Sequence, residues 1–208
     1  MDFSQWEPLY RDIRQEFGFS LEADRQAARL LHSMVGDRSC QQEILRSIIA
    51  GRKVTVCGAA PALAEQLSQL AGVVVAADEA TSLVMERRCP DIVVTDLDGN
   101  VEDQIAANRR GSVVVLHAHG DNTAALRRYA PRFPGPVVLT TQTQPFDRVY
   151  NFGGFTDGDR AYLLARHFEA ASVHLLGFDF EHPQPKPGKD LALKRKKLRW
   201  ARRLIEAY

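Results

Sequence analysis

With 208 residues and 45% hydrophobic content, the chain suffices for one large domain with a substantial core. The charged start M-D-F-S-Q-W-E-P-L-Y is unlike a signal peptide, no apolar run nears the roughly 20 residues that span a bilayer, and Cys40, Cys57 and Cys89 form no C-x-x-C pair. A membrane span, a disulfide framework and a cysteine zinc cluster are therefore not expected, and the net charge of +1 conceals an acidic body (residues 1–185, 18 basic against 24 acidic) and a basic tail (residues 186–203, nine Lys or Arg against one acid).

Residues 1–50 read as a helical region. Leu9, Ile13 and Phe17 share one helical face, and Leu21 to His32 and Gln41 to Ile49 repeat the period, with Ser20 as a cap. From residue 51 to 208 the pattern changes. The runs K-V-T-V-C, G-V-V-V-A, D-I-V-V-T, S-V-V-V-L, P-V-V-L-T and S-V-H-L-L alternate with helix-length segments, and continuous apolar runs of that kind are strands buried on both faces. The expectation is an α/β fold, a Rossmann-like, mostly parallel sheet flanked by helices. After Gly177, E-H-P-Q-P-K-P-G-K reads as a loop or lid. The last segment, from Asp190, is a basic helix that docks on Leu191, Leu198, Ala201 and Ile205. Lys194 falls inside that stripe, either snorkelling or aimed at an anion.

Candidate chemistry sits where strands end. In D-I-V-V-T-D-L-D-G, Asp96 and Asp98 are one residue apart, and in an extended chain both point the same way, a metal-ligand geometry. Two solvated loop acids are the alternative. The turn V-C-G-A-A-P offers Gly58 and helix amides for phosphate, and Asp78 ends the next strand, as ligand or helix cap. H-A-H-G-D-N places His117, His119, Asp121 and Asn122 in six residues. Neutral imidazole suits phosphate or substrate better than magnesium, and Asp121 or Asn122 could instead cap a helix. N-F-G-G-F-T-D-G-D-R-A combines flexible glycines with Asp157 and Asp159 at a helix start, with N-terminal capping and dipole pairing by Asp157 as the alternative. His32, His167 and His174 read as structural. Phe152, Phe155 and Phe178 could stack on a ring or simply pack the core.

Taken together, V-T-D-L-D-G, H-A-H-G-D-N, N-F-G-G-F-T-D-G-D-R-A and L-L-G-F-D-F before a lysine-rich helix resemble the archaeal 6-hydroxymethyl-7,8-dihydropterin diphosphokinases from about Val54 onward. The turn C-G-A-A-P-A-L departs from the family's G-x-G-P-S-L form. The resemblance implies transfer of diphosphate from ATP to the pterin hydroxymethyl group, giving AMP, in methanopterin or folate-like cofactor synthesis. The family's sheet is similar to that of thiamine pyrophosphokinase, whose ordered acids match Asp78, then Asp96 and Asp98, then Thr156 and Asp157. Magnesium would rest on Asp96 and Asp98 with Asp78, Asp121 or Asp157, and Lys189, Lys194, Lys197 and Arg160 would face the phosphates. ATP and a reduced hydroxymethylpterin are then the partners. Membrane and nucleic acid are not expected, the location is cytoplasmic, and monomer or homodimer is left open. Two rivals stand beside this reading: a haloacid-dehalogenase-type phosphatase with Asp96 as nucleophile, and a nucleotide- or nucleic-acid-binding module without catalysis.

Overall fold

The computed structural model describes residues 1–184 and 190–208. Helices α1 (Phe3–Phe17), α2 (Leu21–Val35) and α3 (Glu43–Ile49) come first. The strands follow as β1 (Lys53–Cys57), β2 (Val73–Ala77), β3 (Ile92–Thr95), β4 (Val113–Ala118), β5 (Val137–Thr141), β6 (Val149–Tyr150) and β7 (Ser172–Leu176). Between them lie α4 (Leu63–Gln66), α5 (Ala80–Arg87), α6 (Val101–Arg109), α7 (Thr123–Tyr129) and α8 (Asp157–His167), and α9 (Leu191–Ala207) ends the chain. Among the described residues no helix is long and apolar enough to cross a membrane.

The strands form one sheet in the order β6-β5-β4-β3-β2-β1-β7, every neighbouring pair parallel. The expected Rossmann-like α/β arrangement is therefore present. Only β6 escapes the sequence pattern, because two residues make no apolar run. From β1 to β6 the chain steps across the sheet in one direction, and β7 then lies on the far side of β1. Right-handed crossovers put the outward helices on one face and the returning helix on the other. Accordingly Leu63 of α4 and Val84 of α5 pack with Val74 and Ala76, and Ala27 and Leu31 of α2 pack with Val93, Leu116 and Leu139. The opposite face joins Leu45 and Ile49 of α3 and Leu164 of α8 to Val75, Val94 and Val115.

A third layer covers α8. Trp6, Tyr10 and Ile13 of α1 meet Trp200 and Leu204 of α9 over Leu163. The docking face of α9 is thus rotated from the expected stripe: Trp200, Ala201 and Leu204 are buried, whereas Leu191, Leu198 and Ile205 are half-buried. The Trp200 indole offers a large apolar area, and burying it sets the rotation of the helix. Ser20 caps α2 as expected, accepting the Ala23 N–H at 3.3 Å. Because all strands run parallel, residues following β1 to β5 collect at one sheet edge, where open α/β sheets bind ligands.

Candidate active site

Asp78, Asp96 and Asp98 converge at that edge, each offering an oxygen within 4.8 Å of the others. Strand alternation is not what brings Asp96 and Asp98 together. Strand β3 stops at Thr95, and Leu97 turns through a left-handed φ of 70° to bury its side chain in the core, so both flanking acids are swung outward. Asp78 is placed by a network. Its Oδ1 accepts from Thr95 Oγ1 at 2.6 Å and Gln104 Nε2 at 2.7 Å, and the Leu97 N–H donates to Thr95 Oγ1 at 2.8 Å. Gly99 completes the nest, since a Cβ there would collide with Asp78 Oδ2. Asp78 does start the following helix, but through its carbonyl, which accepts the Thr81 N–H at 3.0 Å.

Electrostatics divide these acids. Burial, with the fields of Asp96 and Asp98, pushes Asp78 up to about 7 against its two hydrogen bonds. Burial would likewise raise Asp96, but the hydrogen bond from His119 and the positive field of Arg160 and Lys197 outweigh it and hold Asp96 at about 2. Asp157, at the first position of α8, is raised well above the carboxylate range by burial and by Asp96, despite an ion pair with Arg160 at 3.0 Å. Asp96 Oδ1 is buried without a hydrogen-bond partner among the described residues. Three hard oxygen donors and an orphaned carboxylate oxygen fit a divalent cation, which would discharge the repulsion.

Two clefts flank this cluster. The first, about 390 Å³, lies between the Gly58 turn and α9 and takes in Asp78, Asp98, Thr156, Asp157, Phe178 and Lys194. The second, about 250 Å³, takes in Asp96, His119, Asp121, Arg160, Phe155 and the α1–α2 junction. Lys197 borders both. The carboxylate cluster is therefore the partition between two pockets.

The family profile described as 6-hydroxymethylpterin diphosphokinase MptE-like matches residues 29–185. The chain belongs to this family. It is similar to three proteins named 6-hydroxymethyl-7,8-dihydropterin pyrophosphokinase. That of Pyrococcus furiosus is 45% identical over 220 residues, covering 99% of this chain and 94% of the relative. That of Methanothermobacter thermautotrophicus is 39% identical over 221 residues, at 99% and 94% coverage, and that of Methanocaldococcus jannaschii 35% over 229 residues, at 99% and 95%. The family match spans every acid of the cluster but stops short of Lys194 and Lys197, and begins after Asp24.

In this family member several residues singled out in the sequence lie elsewhere than expected. His117 does not reach either cleft. It is buried, donates to or accepts from Thr140 Oγ1 at 3.1 Å through Nδ1, and burial holds it well below the imidazole range. Asn122 is a brace rather than a ligand: its amide nitrogen donates to the carbonyls of Asp96 and His117 at 2.8 Å each, and its Oδ1 accepts the His119 N–H at 3.0 Å. Gly58 does border the first cleft, where a Cβ would stand 2.7 Å from the Gly177 carbonyl, but α4 behind it is only one turn, so the expected helix amides are few. The α8 cap is Thr156 with Asp159, whose carboxylate accepts the Thr156 and Phe155 N–H groups, which releases Asp157 from capping. Asp121 is exposed at the rim of the second cleft, outside the three-acid cluster. Phe152 packs in the core, while Phe155 and Phe178 line the second and first clefts. Lys189 lies outside the described residues.

Four residues were not anticipated: Thr95, Gln104, Asp24 and Gln142. Gln104 carried a readable signal, being polar on the buried stripe of α6 between Val101 and Ile105. Thr95 stands beside Asp96 in the sequence but its partner Asp78 lies 17 residues away, and Asp24 and Gln142 meet across 118.

Proposed function

We propose that this protein transfers the diphosphate of ATP to the hydroxymethyl oxygen of 6-hydroxymethyl-7,8-dihydropterin, releasing AMP. The observation that carries this reading is the place of Asp78, Asp96 and Asp98 on the partition between two clefts, in a member of this family. Two ligands entering from opposite sides meet there. The pterin oxygen bonds to the β-phosphorus, the bridge between the α- and β-phosphorus breaks, its electron pair leaves with AMP, and the hydroxyl proton is lost. Such a transfer demands in-line approach and neutralised charge rather than covalent help from the protein.

Asp78, Asp96 and Asp98 would hold a divalent ion, magnesium in this reading, with Asp157 next to them, and such an ion would supply positive charge against the phosphates. His119 orients Asp96, their Nε2 and Oδ2 being 3.3 Å apart. Lys194 and Lys197 face the phosphates, and Arg160 balances Asp157 and Asp96 from the second cleft. Incubation with ATP, magnesium and the reduced pterin, with label at the β-phosphorus, is the test. Equal amounts of AMP and labelled pterin diphosphate are expected. Orthophosphate without AMP, or phosphate trapped on Asp96, would transfer the site to the phosphatase reading.

A further inference from the structure

The floor of the second cleft is polar and buried. Asp24 and Gln142 are 3% and 5% exposed, yet both border the cavity. Asp24 is held by Tyr10 Oη–H at 2.5 Å, the Gly120 N–H at 2.7 Å and Gln142 Nε2 at 2.8 Å. A carboxylate has about four acceptor sites, so one remains. Because a carboxylate only accepts, Gln142 must present its nitrogen to Asp24, which fixes its Oε1 as a second acceptor of defined orientation. The Gln142 carbonyl is tied in turn by Trp6 Nε1 at 2.9 Å. Phe19 and Phe155, with ring centroids 6.2 Å apart, form an aromatic wall beside this floor.

We infer that the second cleft is the acceptor pocket, in which Asp24 and Gln142 receive N–H groups of a flat 2-amino-4-oxo heterocycle lying against Phe19 and Phe155. This rests on the diphosphokinase reading and adds which side of the partition each substrate occupies. Hydrogen-bond complementarity and size favour it. The amino-lactam edge of a pterin presents N–H donors that match the oxygen acceptors of Asp24 and Gln142. The other cleft is larger and opens where β7 returns beside β1, the customary nucleotide crevice of such sheets. The junction of α1 and α2 is then a recognition element and not merely a covering layer.

Binding of 6-hydroxymethyl-7,8-dihydropterin and of α,β-methylene-ATP, measured separately by calorimetry, tests the assignment. Gln142→Leu and Phe19→Ala are each expected to weaken the pterin at least tenfold and leave the nucleotide within twofold, and Leu198→Trp, in the first cleft, to do the reverse. Phe19 is half-buried, so its truncation guards against misfolding of the Gln142 variant. Unchanged pterin affinity in both variants, or its loss only in Leu198→Trp, would overturn the assignment. If the wild-type protein still makes AMP and pterin diphosphate in that case, only the pocket assignment falls. If it makes neither, the pocket and the proposed activity fall together.

Discussion

His119 Nε2 stands 3.3 Å from Asp96 Oδ2, while His119 Nδ1 accepts the backbone N–H of Asp121 at the same distance. An imidazole that accepts at Nδ1 carries its proton at Nε2, so His119 donates to Asp96 and orients it. Groups that orient a metal ligand are worth about 10- to 100-fold in metal affinity or activity. His119→Ala is expected to raise the magnesium concentration needed for half-maximal AMP formation by about that factor, with the melting temperature little changed. An unchanged magnesium requirement would remove His119 from the site.

Replacing Asp96 or Asp98 by Asn removes charge where the transferring phosphate needs a counter-ion. Turnover is expected to fall by on the order of 10³-fold or more, as when a main electrostatic stabiliser is deleted. Steady-state AMP formation measures this, and near-normal rates in either variant would contradict the proposed role.

The raised pKa of Asp78 ties cation binding to pH. The metal-free protein holds this proton up to about 7, and a cation must displace it, so magnesium affinity is expected to rise with pH and level off above about 7. Stability follows the opposite sign. A carboxyl raised by folding stabilises below its unfolded value, roughly 4, and that contribution is lost as pH rises through about 7. Melting curves without metal should therefore decline across that window, and Asp78→Asn should flatten the decline. Calorimetry in buffers of different ionisation enthalpy reads the proton released.

Thr95 is the hinge of the Asp78 network. Its hydroxyl donates to Asp78 and accepts from Leu97, so Thr95→Val strands the Leu97 N–H and leaves Asp78 Oδ1 with Gln104 alone. A cost of about 1–3 kcal/mol is expected, together with a further upward shift of Asp78 and a magnesium requirement displaced to higher pH. Denaturant unfolding and the pH profile of metal binding check the two parts separately.

Gly99 gives a sharper test of geometry. A Cβ there collides with Asp78 Oδ2, so Gly99→Ala is expected to weaken cation binding at least tenfold by pushing the carboxylate aside. The effect on folding should be small because Gly99 lies in a half-buried turn. Unaltered binding would mean that Asp78 is not a ligand.

What could be read along the chain was what depends on neighbours in sequence. The alternation of apolar runs and helices set the parallel sheet, because β-branched strands buried on both faces need helices above and below. The sheet in turn placed Asp78, Asp96 and Asp98 at one edge. Even the D-L-D turn was legible as a pair of acids, although the buried left-handed Leu97, not strand alternation, makes them converge. Folding alone decided which polar residues meet across long separations. Thr95 and Gln104 reach Asp78 over 17 and 26 positions, and Gln142 reaches Asp24 over 118. It also turned His117 and Asn122 from ligand candidates into buried scaffolding. The reason is physical: periodicity reports how each segment divides between core and solvent, but the partner of a buried polar group is set by the crossing of elements, which no local pattern encodes.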